Sequence, residues 1–372
     1  MKSNSSSRIH AFDLLRGWCL VVISSDHLER FPSVFDPFTG RGLLWVSAAE
    51  GFFFISGALV GIVRGRSMAK NGLKAATKEL WSRAAKLYAA SVILTLGFTL
   101  VSYFLSSIGL HMVKGGLEYF GSGYELIWRV LTLQYSYGWT DFLNYYVVYL
   151  LLSPLVLWLC QRKLWWTVLL ASLGLWVLKL DIRNDFVEAY LTWQVYFFSG
   201  LVFGYYYSSI HAWYRSLRAA VRRNGRASMF GLTLVTVLAS FAFTFGTPIF
   251  ENRNAELHGF FDFVKDNSLF NVLLQNNRTG LLRLPLFLLW FGTIFAILRK
   301  YETAALRRLG WLLLPLGKNS LYVYIVQGIV VFLITLLNIP GGFMVNTLLN
   351  VFAVVIYWVA VRQRILFSVI PR

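Results

Sequence analysis

Apolar residues in this chain come in runs of about twenty, separated by short segments in which charges cluster. A helix of that length crosses a bilayer, because each residue rises about 1.5 Å and the hydrocarbon layer is about 30 Å thick. The pattern predicts ten spans, at roughly 11–28, 43–63, 87–108, 141–160, 164–180, 189–207, 228–250, 281–298, 311–336 and 343–361. The first, fifth and sixth are short or interrupted by polar residues. Met1 to Ser7 is polar and does not read as a cleavable signal peptide. Two segments between spans exceed a tight hairpin, Gly109 to Thr140 and Glu251 to Gly280. The first of these includes the amphipathic, aromatic stretch Tyr124 to Tyr137, suited to lying flat at an interface. With no internal repeat and no Pro- or Gly-rich linker, residues 1–372 are expected to form one all-α domain, a polytopic transmembrane helical bundle.

Composition agrees with a membrane protein and excludes an ordinary soluble enzyme: 57% of the 372 residues are hydrophobic and only 14% charged. The net charge of +18 would suggest nucleic acid in a soluble chain, but here the bases fall between apolar runs. Placing the N-terminus in the cytoplasm puts twenty-three Lys and Arg on the cytoplasmic side and ten on the outer side. Positive charge accumulates inside, so both termini are expected in the cytoplasm and nucleic acid is not an expected partner. Cys19 and Cys160 fall in or beside spans and imply no disulfide framework.

Ionisable residues within spans are costly and normally face a bundle interior, so they mark candidate sites. Asp13, Arg16, Ser24 and His27 share one stripe of the first helix, with Arg16 and His27 eleven positions apart, about three turns. Asp13 and Arg16 have the spacing of an ion pair. Asp26 points away from that stripe. Glu50 lies in the outer half of the second span, near the depth of His27, where a carboxylate would raise the basicity of an imidazole. Gly57 and Gly61 form a small-residue face for close helix approach. The cytoplasmic segment Arg64, Arg66, Lys70, Lys74, Lys78, Arg83, Lys86 suits either a phosphate-rich ligand or anionic lipid. Lys318 sits in an apolar run near the inner face. Phosphate-binding glycine loops are lacking, and the five histidines have no metal-ligand spacing, so no metal is expected.

Arg16 followed by His27, and the run Glu50-Gly51-Phe52-Phe53-Phe54-Ile55-Ser56-Gly57, resemble the first two helices of membrane-bound acyltransferase family 3. Asp13, Arg16 and Gly17, with the pair Asp26-His27, are most similar to its OpgC-type branch, named for the succinyltransferase of periplasmic glucans. Further similar segments are Asp141 to Tyr146 with Asn144, Trp193-Gln194 leading to Ser199-Gly200, and Gly317-Lys318-Asn319-Ser320-Leu321. Arg83-Ala84-Ala85-Lys86 departs from the family's Arg-x-x-Arg, and Gln327 stands where related chains often place a histidine, so it is given no catalytic role.

The resemblance implies an O-acyltransferase in the bacterial cytoplasmic (inner) membrane. It would move a succinyl or acetyl group from cytoplasmic acyl-coenzyme A to a hydroxyl of an extracytoplasmic glycan or glycolipid. His27 is expected to be the general base, with Glu50 or Asp26 stabilising the imidazolium. Transfer by direct attack and through an acyl-histidine both stay open. Arg16, Asp13, Arg83, Lys86, Lys318, Asn319 and Ser320 are the expected donor contacts, and Asp141, Asn144, Trp193 and Gln194 the expected acceptor contacts. A transporter or flippase for a lipid-linked saccharide is the alternative use of the same charges. The acyl group, the acceptor and any assembly into homo-oligomers are not fixed by the sequence.

Overall fold

The computed structural model describes residues 9–109, 121–178, 184–250, 273–274 and 280–370. Among these the chain is all helical, with no β-strand. The helices are α1 (His10–Leu28), α2 (Asp36–Thr39), α3 (Ala48–Ser107), α4 (Gly123–Leu131), α5 (Asp141–Gln161), α6 (Trp165–Leu178) and α7 (Asp185–Tyr205). There follow α8 (Tyr207–Ser216), α9 (Ala219–Phe250), α10 (Arg283–Lys300), α11 (Glu302–Lys318), α12 (Ser320–Leu336) and α13 (Phe343–Arg362).

Four helical stretches are long and apolar enough to cross a membrane by themselves: α3, Gly138–Gln161, Ala219–Gly246 and α13. Helices α10 and α11, bent by 101° at their junction, pass the same test together, and α6 and α12 are apolar but shorter. Length and composition therefore mark four or five spans among the described residues, not ten. Part of the difference lies in α3. Gly72 breaks this 60-residue helix with φ +82°, a conformation that glycine adopts without strain. Beyond the break the chain doubles back: Arg64 forms an ion pair with Glu79, and Ser67 donates to the same carboxylate at 3.2 Å. In a straight helix residues 64 and 79 would stand about 22 Å apart. The expected loop between the second and third spans is thus helical, and α3 is a hairpin. The expected span 311–336 is likewise two helices, interrupted at Asn319 and starting earlier, at Glu302.

Helix α1 is buried along nearly its whole length, as a helix at the centre of a bundle must be. It crosses α11 without intervening side chains: a Cβ on Gly17 would collide with the Leu313 carbonyl, and one on Gly317 with that of Asp13. The first half of α3 meets α7 in the same way. Gly57 and Gly61 lie against the backbone at Phe197 and Leu201, while Gly200 and Gly204 lie against Phe54 and Ala58. The small-residue face expected at Gly57 and Gly61 therefore meets a second one, also spaced four apart, which is the arrangement that brings helix axes closest.

The second half of α3 is joined to α5 and the segment before it by buried hydroxyls. Ser91 donates to Asn144, Thr95 pairs with Thr140 at 3.0 Å, and Ser102 with Tyr137 at 2.8 Å. Helix α4 is amphipathic as expected, burying Leu126 and Val130 and exposing Tyr124, Ile127 and Trp128. Ser122 caps it, and the side chain of Arg129, then the Gly121 amide, hold the Glu125 carboxyl below its ordinary range. Residues 251–272 and 275–279, most of the expected long segment Glu251 to Gly280, lie outside the described residues.

Candidate functional site

Four arginines converge where α1 begins and the α3 hairpin turns. Arg16, Arg64 and Arg83 line a cavity of about 380 Å³ with Arg66, Asp13, Ser56 and Tyr146. Arg16 and Asp13 are buried on the inward stripe of α1, one turn apart. Its guanidinium faces the Ser56 hydroxyl at 3.5 Å and stands 5.4 Å from the centre of the Phe52 ring. Arg83, on the returning half of α3, stands 6.0 Å from the centre of the Tyr146 ring. The Nε atoms of Arg16 and Arg83 are both buried without a hydrogen-bond acceptor. Buried charged donors without acceptors are costly, and an anion in the cavity would satisfy them. Phosphate is a good match, because guanidinium forks bind it at two points.

The other bases expected at this site lie apart from it. Lys70, Lys74 and Lys78 are exposed on the hairpin. Lys86 is exposed and lines a separate depression with Phe367 to Ile370. Lys318, expected in an apolar run and among the donor contacts, ends α11 and is exposed. Asn319 donates to the Pro315 carbonyl at 2.9 Å, and Ser320 is buried at the start of α12.

His27 occupies the far end of α1, about 16 Å from Arg16 at the rise of an α-helix. It does not line the arginine cavity. Its ring meets α12, where the side-chain amide of Gln327 lies 3.1 Å from Nδ1. Neither carboxylate expected beside it makes that contact. Both oxygens of Glu50 are engaged elsewhere: one receives Arg283 Nε at 2.8 Å and also its Nη2, the other receives the Ser47 backbone amide at 2.8 Å. Glu50 is therefore half of a buried ion pair and part of the N-terminal cap of α3. Asp26 faces the other way, against Thr39 and Gly42. The pairing of His27 with Glu50 or Asp26 is corrected accordingly: the ring's polar partner among the described residues is a neutral amide.

The expected acceptor contacts are held in packing. Asp141 accepts from the Phe142 amide at 2.7 Å and from the Tyr145 hydroxyl at 3.3 Å, and Asn144 is buried against Ser91. Trp193 stacks on Phe53 with ring centres 5.2 Å apart, and Gln194 donates to the Ser172 carbonyl at 2.7 Å. Sequence reasoning missed Arg283 and Gln327. Arg283 opens an apolar run, and a cation in that position calls for a buried partner. Gln327 stands where related chains often place a histidine, but it carries no charge and so no role is expected of it. Among the described residues no cluster of His, Cys, Asp and Glu is suited to a metal ion.

The family model described as OpgC protein matches residues 8–367, nearly the whole chain. No curated protein and no solved structure matches it.

Proposed function

The chain belongs to the OpgC protein family, and we propose that it is an acyl-coenzyme A-dependent O-acyltransferase of the bacterial cytoplasmic membrane. It would transfer a succinyl or acetyl group to a hydroxyl of an extracytoplasmic glycan or glycolipid. The observation that carries this reading is a single buried helix with cations in a cavity at one end and an imidazole at the other. Such a helix suits a donor whose phosphates and reactive carbonyl are far apart.

On this reading the chain crosses the membrane ten times, with the arginine cavity on the cytoplasmic side. The crossings would be α1, the two halves of α3, α5, α6, α7, α9, α10, α11 with α12, and α13. Helix directions support the count. Helices α1 and α11–α12 run the same way: they cross near residues 15 and 315, and His27 meets Gln327 about twelve residues further along both. The first half of α3 and α7 also run the same way. By contrast, α9 and α10 run oppositely, with Thr233 on Thr293 and Thr236 on Trp290. Same-way pairs are crossings of like parity in this scheme, and opposed pairs are of unlike parity.

Arg16 and Arg83, with Arg64 and Arg66 around them, would hold the donor's phosphates, leaving its thioester to reach toward His27. His27 would take the proton of the acceptor hydroxyl as that oxygen attacks the thioester carbonyl. The bond from carbonyl to sulfur then breaks, and the departing thiolate takes up a proton to leave free coenzyme A. Loss of a general base costs about 10²–10⁴ in rate. The test is release of free thiol from a panel of acyl-coenzyme A donors by the protein in proteoliposomes with glucan acceptor. Transfer abolished in a folded, donor-binding His27→Ala variant supports the reading. A His27→Ala variant retaining more than about a tenth of wild-type turnover overturns the role of His27. Movement of acceptor without thiol release would make the protein a transporter.

A further inference from the structure

His27 and Gln327 approach across the contact between α1 and α12, and Gln327 is buried, 1% exposed. One end of its amide is 3.1 Å from Nδ1 of the ring; the other end, Oε1, is buried without a partner. A half-turn about the last side-chain bond exchanges the two ends while keeping the contact. The two orientations have opposite consequences for the ring. With the amide nitrogen donating to Nδ1, a neutral imidazole carries its proton on Nε2 and has no lone pair left to offer. With Oε1 accepting from Nδ1–H, the lone pair is on Nε2.

Nδ1 is occupied by Gln327 in either orientation, so only Nε2 can reach a substrate. Only the second orientation lets that atom take a proton, and only the second tolerates the result. Both nitrogens of an imidazolium are donors, so an amide N–H facing Nδ1 would be repelled once the ring is charged. Among the described residues no carboxylate takes the position: Glu50 is bound to Arg283 and Ser47, and Asp26 faces Thr39.

We propose that Gln327 is a positioning residue that sets the tautomer of His27, accepting Nδ1–H through Oε1 and leaving Nε2 as the base. The proposal deepens the acyltransferase reading and rests on it for its catalytic consequence, but the tautomer itself is measurable without activity. The experiment is ¹⁵N nuclear magnetic resonance of the protein labelled in its histidine rings, in detergent, with the His27 signals assigned as those missing in His27→Ala. Gln327→Leu, which can neither donate nor accept, should move His27 away from the Nδ1–H form and lower turnover about 10- to 100-fold with donor binding unchanged. Gln327→Glu can accept but, when ionised, cannot donate, so it should preserve the Nδ1–H form and most of the turnover. An Nε2–H ring in the unaltered protein, or a tautomer indifferent to Gln327→Leu, overturns the proposal. A tautomer that responds as stated while turnover does not would uphold the assignment of the contact and overturn His27 as the base.

Discussion

At the scale of single residues, two arginines show how different a buried cation's situation can be. Arg283 is engaged by Glu50 and also bonds Tyr196, so it belongs to the framework. Breaking one partner of such a pair leaves an isolated buried charge, at a cost of about 3–5 kcal/mol. Arg283→Met should therefore lower the melting temperature sharply, with Glu50→Gln close behind, as followed by thermal unfolding in detergent. Arg16 keeps an unpaired nitrogen and faces a cavity, so its loss should show in binding. A hydrogen bond to a charged group is worth about 1.5–3 kcal/mol, so Arg16→Gln should weaken coenzyme A binding by roughly 10- to 150-fold, as measured by calorimetry. Unchanged affinity would remove Arg16 from the donor site. The stripe that joins Asp13, Arg16 and His27 was legible in the sequence because helical spacing fixes it. The partners were not, because Glu50 and Arg283 meet across 233 positions through packing that no local pattern encodes.

At the scale of helices, close backbone contact and hydroxyl pairing make unequal contributions. A side chain at Gly200 or Gly204 would strike the backbone of α3, which cannot yield as a side chain can. Gly204→Val should consequently separate α3 from α7 and leave little folded protein, as read by size-exclusion chromatography. The hydroxyl ladder between α3 and α5 is a gentler bond. Hydrogen bonds between membrane helices average about 0.6 kcal/mol, so Thr95→Val should lower stability by about that amount and leave the elution profile unchanged. The face at Gly57 and Gly61 was visible in the sequence, and the break at Gly72 was not. A lone glycine in a polar stretch looks like any loop glycine. Its effect depends on Met68, Ala76 and Leu80 being buried on either side of the turn.

At the scale of the molecule, the proposed topology rests on the distribution of basic residues for its orientation and on the directions of the helices for its count. Reporter fusions should place Gly225 in the cytoplasm and Gly42 outside; Gly225 outside would overturn the orientation and every depth that follows from it. Apolar run length indicated most of the helices but misjudged α11 and α12. Hydropathy averages over the non-helical residue at Asn319, and it cannot register a helix such as α11 whose first turns are polar.

The contact of α1 with α11 and α12 also sets a timetable for biogenesis. Gly17 and His27 find their partners about 300 residues later in the chain, at Leu313 and Gln327. At about 5–20 residues per second of synthesis, that is a wait of roughly 15–60 s. On the proposed topology, the first helix then holds Asp13, Arg16 and His27 in the membrane before α11 and α12 are made. Among its early contacts are those with α3, whose Ser56 and Phe52 reach Arg16. Chains arrested before residue 300 should thus keep α1 and α3 together yet leave the first helix open to proteases and quality control.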